Sequence, residues 1–298
     1  MIRKYRPFLP LLLLAFVATA GAAPPPSGPK ILAVTAHPDD DALFAATNYR
    51  ITHALGGKVD LAVVTNGEGG YKYSDLAKSI YGLDLTDEKV AREYLPGIRK
   101  RELLAGGAII GIRNYFFLDQ VDKEYTLDLE AGMKAWDVEY VKARLLDILQ
   151  RGHYDFVFVM LPLATSHAGH RGAALLALEV VSRLPEAERP IVLGAWGYKK
   201  SSTERVSYAE HPGYPLSRVA PDAPKFEFDR SQKFSHDNRL DYQIVVNWLI
   251  AEHKSQGTMQ NVMNVIDVEQ FWYFASNRAS GVEAARALFE RLKNAPPP

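Results

Sequence analysis

Short apolar runs that fit buried strands alternate with amphipathic segments that fit helices, and this alternation limits the possible folds more than any other feature. The predicted strands are residues 31–36, 59–65, 115–118, 155–160 and 191–196. The predicted helices between them are residues 40–55, 98–110, 136–150 and 170–184. Strands that alternate with helices form a mainly parallel sheet with helices on both faces. The sequence therefore predicts the α/β class.

The alternation weakens after the last of these strands. Residues 198–237 are polar and interrupted by prolines, and they are predicted to form a long loop of the kind that is usually functional or mobile. A helix is predicted at 240–254, a strand at 265–274 and a last helix at 281–292. We therefore expect a single domain over residues 30–298.

The N-terminus has the pattern of a cleaved signal peptide. Arg3, Lys4 and Arg6 precede an apolar run at 8–17, and small residues at 20–22 offer a cleavage site. The run is shorter than the ~20 residues that span a bilayer, which disfavours an uncut anchor. The prediction is a signal peptide at 1–22, a proline-rich linker at 23–29 and an exported protein, periplasmic or extracellular, without a membrane span after cleavage.

Charge and cysteine content exclude several classes of function. The chain has 35 basic and 35 acidic residues, and cleavage removes three basic ones, which leaves 32 against 35 and a net charge of −3. A nucleic-acid-binding surface is basic, so a nucleic-acid partner is not expected. Cysteine is absent, so any metal must be held by histidine and carboxylate side chains.

The first candidate site is the segment Ala36-His37-Pro38-Asp39-Asp40, where the first predicted strand ends and a helix begins. Ligands bind outside the carboxyl ends of the strands in open α/β sheets. His37 and Asp40 are three residues apart and can point to one place across the first turn. Asp39 and Asp40 could also simply cap the helix, but a histidine two residues before them favours a metal or catalytic site.

The second candidate segment contains His167 and His170, which follow the strand predicted at 155–160 and open another helix. This segment belongs to the same edge of the sheet as His37. Either histidine alone would more often be a surface residue. Two histidines and one carboxylate, with an open position for water, are a usual catalytic zinc set.

These motifs resemble the LmbE-like, or PIG-L, family of deacetylases. His37-Pro38-Asp39-Asp40 and the later His167-x-x-His170 carry the resemblance, which covers most of residues 30–275. The supporting segments are Val64 to Glu68, Arg99-x-x-Glu102, Phe116 to Asp122 and His253-Lys254-Ser255-Gln256. The resemblance implies a Rossmann-like fold and the zinc-dependent removal of acetyl groups from N-acetylglucosamine-type sugars.

The resemblance also implies a role for each matching residue. His37, Asp40 and His170 would bind Zn²⁺, although another divalent metal would suit the same ligands. Asp39 would be the general base, and His167 would polarise the carbonyl or act as the acid. The implied partner is an N-acetylated sugar or glycan, with Arg99 as a substrate-binding residue.

Two positions depart from the family pattern. Asp41 stands where the family usually has glutamate, and Gly169 stands where it usually has aspartate or asparagine before the last histidine. The second departure removes a polar group that would orient His167, and such partners often change rate or affinity by ~10 to 100-fold. The alternative is therefore a catalytically weakened, carbohydrate-binding member of the same fold. Nucleotide binding is disfavoured because no G-x-G-x-x-G follows the first strand.

Overall fold

The computed structural model describes residues 28–298 apart from residue 124. The predicted signal peptide at 1–22 lies outside the described residues. The predicted linker at 23–29 does too, except for its last two residues, Gly28 and Pro29.

The described residues form nine strands and nine α-helices. The strands are β1 (Lys30–Thr35), β2 (Lys58–Thr65), β3 (Ile112–Gln120), β4 (Phe156–Met160), β5 (Ile191–Tyr198), β6 (Phe226–Asp229), β7 (Lys233–Ser235), β8 (Leu240–Asp241) and β9 (Val268–Tyr273). The helices are α1 (Ala45–Ala54), α2 (Ala77–Tyr81), α3 (Glu88–Ile109), α4 (Leu129–Met133), α5 (Val138–Gly152), α6 (Ala168–Ser182), α7 (Tyr242–Glu252), α8 (Gly257–Gln260) and α9 (Gly281–Asn294).

Seven strands form one sheet in the order β3-β2-β1-β4-β5-β9-β6. The first five of these are parallel to one another, whereas β9 pairs antiparallel with both β5 and β6. β7 and β8 form a separate two-stranded ribbon. The α/β class and the mainly parallel sheet predicted from the sequence are confirmed.

The central strand β1 shows why the chain needs helices on both faces. Ile31 and Ala33 belong to one apolar core with residues of α1, α7 and α9. Leu32 and Val34 belong to a second core with residues of α5 and α6. Successive side chains of a strand point to opposite faces, and a fully buried aliphatic side chain contributes about 1.5–3 kcal/mol. An apolar run without polar alternation is therefore stable here only between two helical layers.

Helix α3 and strand β6 differ from their sequence predictions. Helix α3 begins at Glu88, ten residues before the predicted start, with Asp87 accepting a hydrogen bond from the Val90 amide as its cap. Pro96 lies inside this helix and cannot donate a backbone hydrogen bond. Because proline usually ends a helix, the sequence pattern predicted a helix that starts only after it. The segment predicted as a loop at 198–237 contributes β6 to the sheet edge.

No helix in the described part of the chain is long and apolar enough to cross a membrane.

A buried ion pair fixes the start of α1, just behind the first candidate segment. Glu269 on β9 accepts hydrogen bonds from the backbone amides of Ala46 and Thr47 at 3.0 and 2.9 Å. Arg230 binds Glu269 at 2.8 Å and donates to the carbonyl of Ala42 at 2.7 Å. The carboxylate satisfies amides that a helix start leaves unpaired. The chain leaving β1 is thereby held against the antiparallel side of the sheet.

Candidate metal centre

The candidate residues converge at the carboxyl edge of the parallel strands. His37 follows β1 by two residues, Asp122 follows β3 by two, and His167 and His170 lie at the start of α6, after β4. Parallel strands end at the same edge, so side chains far apart in sequence meet there. The structure brings together all six residues proposed from the sequence: His37, Asp39, Asp40, Arg99, His167 and His170.

Asp40 is the centre of this arrangement. Its Oδ2 accepts hydrogen bonds from the amides of Ala36 and His37 at 3.0 and 2.8 Å, which fixes the carboxylate against the strand end. Its Oδ1 lies 3.0 Å from Nε2 of His170, and Nδ1 of His37 lies 3.5 Å from Oδ2. A short polar side chain that bonds to nearby backbone amides has little freedom to turn, so Asp40 is held in place for both histidines.

The rings of the three histidines lie close together. The ring centroid of His37 lies 4.9 Å from that of His167 and 4.9 Å from that of His170, and the last two are 5.4 Å apart. Among the described residues, two ligand sets have their donor atoms within 4.8 Å of one another, namely His37-His167-His170 and His37-Asp39-Asp40. Imidazole nitrogens and carboxylate oxygens are the donors that Zn²⁺ takes in catalytic sites. The residues present therefore fit a divalent metal.

Asp39 is held by Arg99 rather than by the histidines. One guanidinium nitrogen of Arg99 lies 2.7 Å from Oδ1 of Asp39, and another donates to the carbonyl of Gly67 at 2.5 Å. Arg99 is only 3% exposed. Oδ2 of Asp39 makes no hydrogen bond with other described residues. Arg99 therefore orients Asp39, and its predicted contact with the substrate stays a prediction.

An open cleft of about 310 Å³ lies over these residues. Its walls carry the aromatic side chains of Tyr73, Tyr125 and Trp196. Tyr125 stacks on His167 with a centroid distance of 5.1 Å. Aromatic faces beside a few convergent polar groups are typical of a small-molecule site.

The sequence analysis gave no role to Asp122, which also lines the cleft. Its Oδ2 lies 3.8 Å from Nε2 of His37, and its backbone amide donates to Glu68 at 3.2 Å. The signal that would have found it is its position directly after β3, at the same sheet edge as His37. Burial is the main reason that the pKa of Glu68 is raised.

The two charges around His37 change its protonation. Burial by itself lowers the pKa of His37, but the carboxylates of Asp40 and Asp122 raise it to about 9. Burial alone would raise the pKa of Asp40, but the charges of His170 and His37 lower it well below its ordinary value. In the metal-free protein, His37 is therefore a cation at neutral pH.

We expect zinc binding at pH 7.5 to release about one proton, because a histidine ligand must be neutral and His37 is protonated before the metal arrives. Calorimetric titration with Zn²⁺ in buffers of different ionisation enthalpy measures this release. A binding enthalpy independent of the buffer would contradict it.

The raised pKa of His37 also stabilises the metal-free fold below pH ~6.5, and this contribution to stability disappears as the pH rises through about 9.

Gly169 lies directly against the imidazoles. A Cβ atom at this position would be 3.0 Å from Nδ1 of His167 and 3.2 Å from Cε1 of His37. The polar side chain that the family usually carries there would adjoin His167. The glycine removes that neighbour, and the stacked ring of Tyr125 supports His167 from another side.

Comparisons with known proteins identify relatives of this chain. A model of the GlcNAc-PI de-N-acetylase (PIG-L) family matches residues 32–181. The probable N-acetyl-alpha-D-glucosaminyl L-malate deacetylase 2 of Bacillus cereus is 29% identical over 162 residues, which span 54% of this chain and 65% of that protein, just under two thirds of its length.

Solved structures match this chain over more than four fifths of its length. GalB, the 4-carboxy-2-hydroxymuconate hydratase from Pseudomonas putida KT2440, matches with a TM-score of 0.52 and 14% identity over 84% of this chain and 98% of its own. The N,N'-diacetylchitobiose deacetylase from Pyrococcus horikoshii has a TM-score of 0.49 and 18% identity, over 81% and 82% of the two chains. At such identities a likeness shows the fold alone, and the fold carries more than one reaction.

Proposed function

Since the chain belongs to the GlcNAc-PI de-N-acetylase (PIG-L) family, we propose that it is a zinc-dependent hydrolase that removes an acetyl or other acyl group from an N-acetylglucosamine-type sugar or glycoconjugate. The observation that carries the proposal is the contact of Asp40 with both His37 and His170, beside a carboxylate that Arg99 orients. The Bacillus cereus relative bears the name of a deacetylase of this substrate class, which supports the choice of reaction.

His37, Asp40 and His170 would hold the metal in the proposed site. A divalent ion held by these residues would supply Lewis acidity toward the amide carbonyl and would make a water molecule more acidic. The neighbouring set of three histidines would instead make His167 a ligand. We favour His37, Asp40 and His170 as the ligands, because the backbone amides of Ala36 and His37 already fix the Asp40 carboxylate between the two imidazoles.

Asp39 is the proposed general base. Arg99 holds Oδ1 of its carboxylate, so Oδ2 faces no competing hydrogen bond from the described residues. Water attacks the carbonyl carbon while its proton passes to Asp39. The charge that develops on the carbonyl oxygen is next to the ring of His167, which donates a proton or hydrogen bond. The C–N bond then breaks, the nitrogen takes the proton that Asp39 received, and acetate and a free amine leave.

The cleft fits a sugar ring. Its volume of about 310 Å³ is at the lower end of the range of small-molecule sites. Trp196 and Tyr73 offer apolar faces on which a pyranose can pack. The mixed lining of aromatic rings, carboxylates and Arg99 supports a carbohydrate with many hydroxyl groups as the substrate class.

Acetate release tests the function. The purified protein, loaded with Zn²⁺, is incubated with N-acetylglucosamine, its oligomers and cell-wall fragments, with and without a chelator. We expect acetate from at least one substrate, with loss of release in chelator and recovery on adding Zn²⁺. Tight binding of a sugar without acetate would favour the catalytically weakened binding protein. The absence of both acetate and sugar binding would refute both functions.

We also propose that the protein is exported, on the strength of the basic and apolar pattern at residues 1–22. Mass spectrometry of the protein recovered outside the cytoplasm should give a chain that begins at Ala23. Recovery of the intact chain in the cytoplasm would contradict export and leave the proposed reaction untouched.

A further inference from the structure

Behind the proposed catalytic turn, Asp41 and His253 form a buried pair that the mechanism does not use. Nε2 of His253 lies 3.2 Å from Oδ1 of Asp41, and the two side chains are 1% and 0% exposed. Asp41 directly follows Asp40 and lies two residues after Asp39. The pair therefore contacts the backbone turn that carries both a proposed ligand and the proposed base.

Asp41 has one directional side-chain contact within the described residues, and that contact is His253. Its other oxygen, Oδ2, makes no hydrogen bond there, and neither does the buried hydroxyl of Tyr115. Burial raises the pKa of Tyr115, and the negative charge of Asp41 raises it further. A buried carboxylate with one partner depends on that partner for its orientation.

His253 is itself rigidly held at the end of α7. Its amide donates to the carbonyl of Ile250 at 3.0 Å, and its carbonyl accepts from the side chain of Gln260 at 2.9 Å. Two residues later, the amide and hydroxyl of Ser255 donate to Glu102 on α3 at 2.7 and 2.6 Å. The backbone of His253 is therefore a fixed point from which its side chain reaches Asp41.

Helix α3 links this fixed point to the proposed base. Glu102 binds the segment that carries His253, and Arg99, one turn earlier on the same helix, binds Asp39. Residues three apart lie on the same side of a helix. Asp39 and Asp41 lie on either side of Asp40 in sequence. Asp39 is connected to α3 directly through Arg99, and Asp41 is connected to it indirectly through the segment of His253.

From this arrangement we propose that His253 is a positioning residue for the metal centre, acting through Asp41. The hydrogen bond fixes the turn at residues 39–41, and this sets the directions of the Asp39 and Asp40 carboxylates toward the cleft. The proposal rests on the proposed function for its effect on turnover, but its effect on metal affinity does not require a known substrate. Partners of this kind change affinity or rate by about 10 to 100-fold.

The test compares His253→Ala with His253→Gln. The amide nitrogen of glutamine reaches about as far as Nε2 of histidine and can donate to Asp41. Zinc affinity is measured by competition with a chromophoric chelator. The values of kcat and KM are measured with the N-acetylated sugar from which most acetate is released. For His253→Ala we expect kcat and zinc affinity each to fall about 10 to 100-fold with little change in KM, and for His253→Gln recovery to within a few fold of the wild type.

The matched control is Tyr154→Phe, which removes a buried hydrogen bond of 2.7 Å to the carboxylate of Asp60. Asp60 lies near the start of β2, at the end of the sheet away from the cleft. We expect this variant to lose stability but to keep wild-type kcat and zinc affinity. Equal losses of kcat and affinity in Tyr154→Phe and His253→Ala would reduce the effect to general destabilisation and overturn the proposal.

A second variant covers the case in which His253→Ala does not fold because Asp41 is left without its partner. The double substitution of Asp41 and His253 by alanine removes both members of the buried pair, and it should fold with the same losses in kcat and affinity. Wild-type values in the folded alanine variant, single or double, would overturn the positioning role. A wild-type protein that binds zinc but releases no acetate would contradict the proposed function alone, and the affinity series would still decide the role of His253.

Discussion

Replacing Asp39 by asparagine should lower kcat by about 10² to 10⁴-fold while zinc binding persists. General-base catalysis contributes a factor of this size, and an amide cannot accept the proton of the attacking water. His37, Asp40 and His170 are unchanged in the variant, so the metal keeps its proposed ligands. Steady-state acetate release measures the loss of turnover, and metal analysis of the dialysed protein measures the zinc content.

The control for this variant is Asp119→Asn. Asp119 lies one residue before the end of β3 and forms an ion pair with Lys100 at the surface, where its side chain is 59% exposed. The same chemical change there should leave turnover unchanged, because an exposed ion pair contributes little. Unchanged turnover in Asp39→Asn would refute the assignment of the base. Loss of zinc from that variant would make Asp39 a ligand, as in the set His37-Asp39-Asp40.

The second large effect separates the two histidines of α6. His170→Ala should weaken zinc binding by more than the 10 to 100-fold typical of a residue that only supports a ligand, and activity should disappear at micromolar zinc. His167→Ala should keep zinc but lower kcat by about 10² to 10⁴-fold, because it removes the group that donates to the carbonyl oxygen. Chelator competition and acetate release on both variants measure the two effects.

His53→Ala is the matched control for the histidine pair, since His53 is an exposed residue on α1 whose ring stacks on Tyr49. It should leave both zinc affinity and kcat unchanged. The reversed pattern, with His167→Ala losing zinc and His170→Ala keeping it, would exclude His170 as the ligand from α6. Loss of zinc from both variants would favour the set of three histidines.

The sheet was predictable because its strands are buried on both faces. The buried residues of β1, β4 and β5 are apolar apart from Thr35 and Gly194, so the strands stand out as short apolar runs. The orientation of β9 was not predictable, because an apolar strand has the same sequence pattern whether it pairs parallel or antiparallel with its neighbour. β6 has four residues, of which only Phe226 and Phe228 are buried, and so short a pattern is indistinguishable from a polar loop.

The candidate site was predictable where its residues are adjacent in sequence or follow a recognisable strand. His37 and Asp40 share one turn, and His167 and His170 share another, and the position of each pair after a predicted strand placed it on the sheet edge. The ion pair of Arg99 with Asp39 joins α3 to the end of β1 across 60 positions (99 minus 39), and no local pattern encodes such a contact. The contact of His253 with Asp41 spans 212 positions and depends in the same way on the packing of α7.

The central claim is that two imidazoles and one carboxylate from distant parts of the chain bind one divalent ion. An anomalous difference map at the zinc absorption edge, from crystals of the zinc-loaded protein, tests it directly. We predict one peak at about 2.0–2.2 Å from a nitrogen of His37, a nitrogen of His170 and an oxygen of Asp40. A map without a peak at this edge of the sheet, or with a peak that Asp40 does not contact, would contradict the claim.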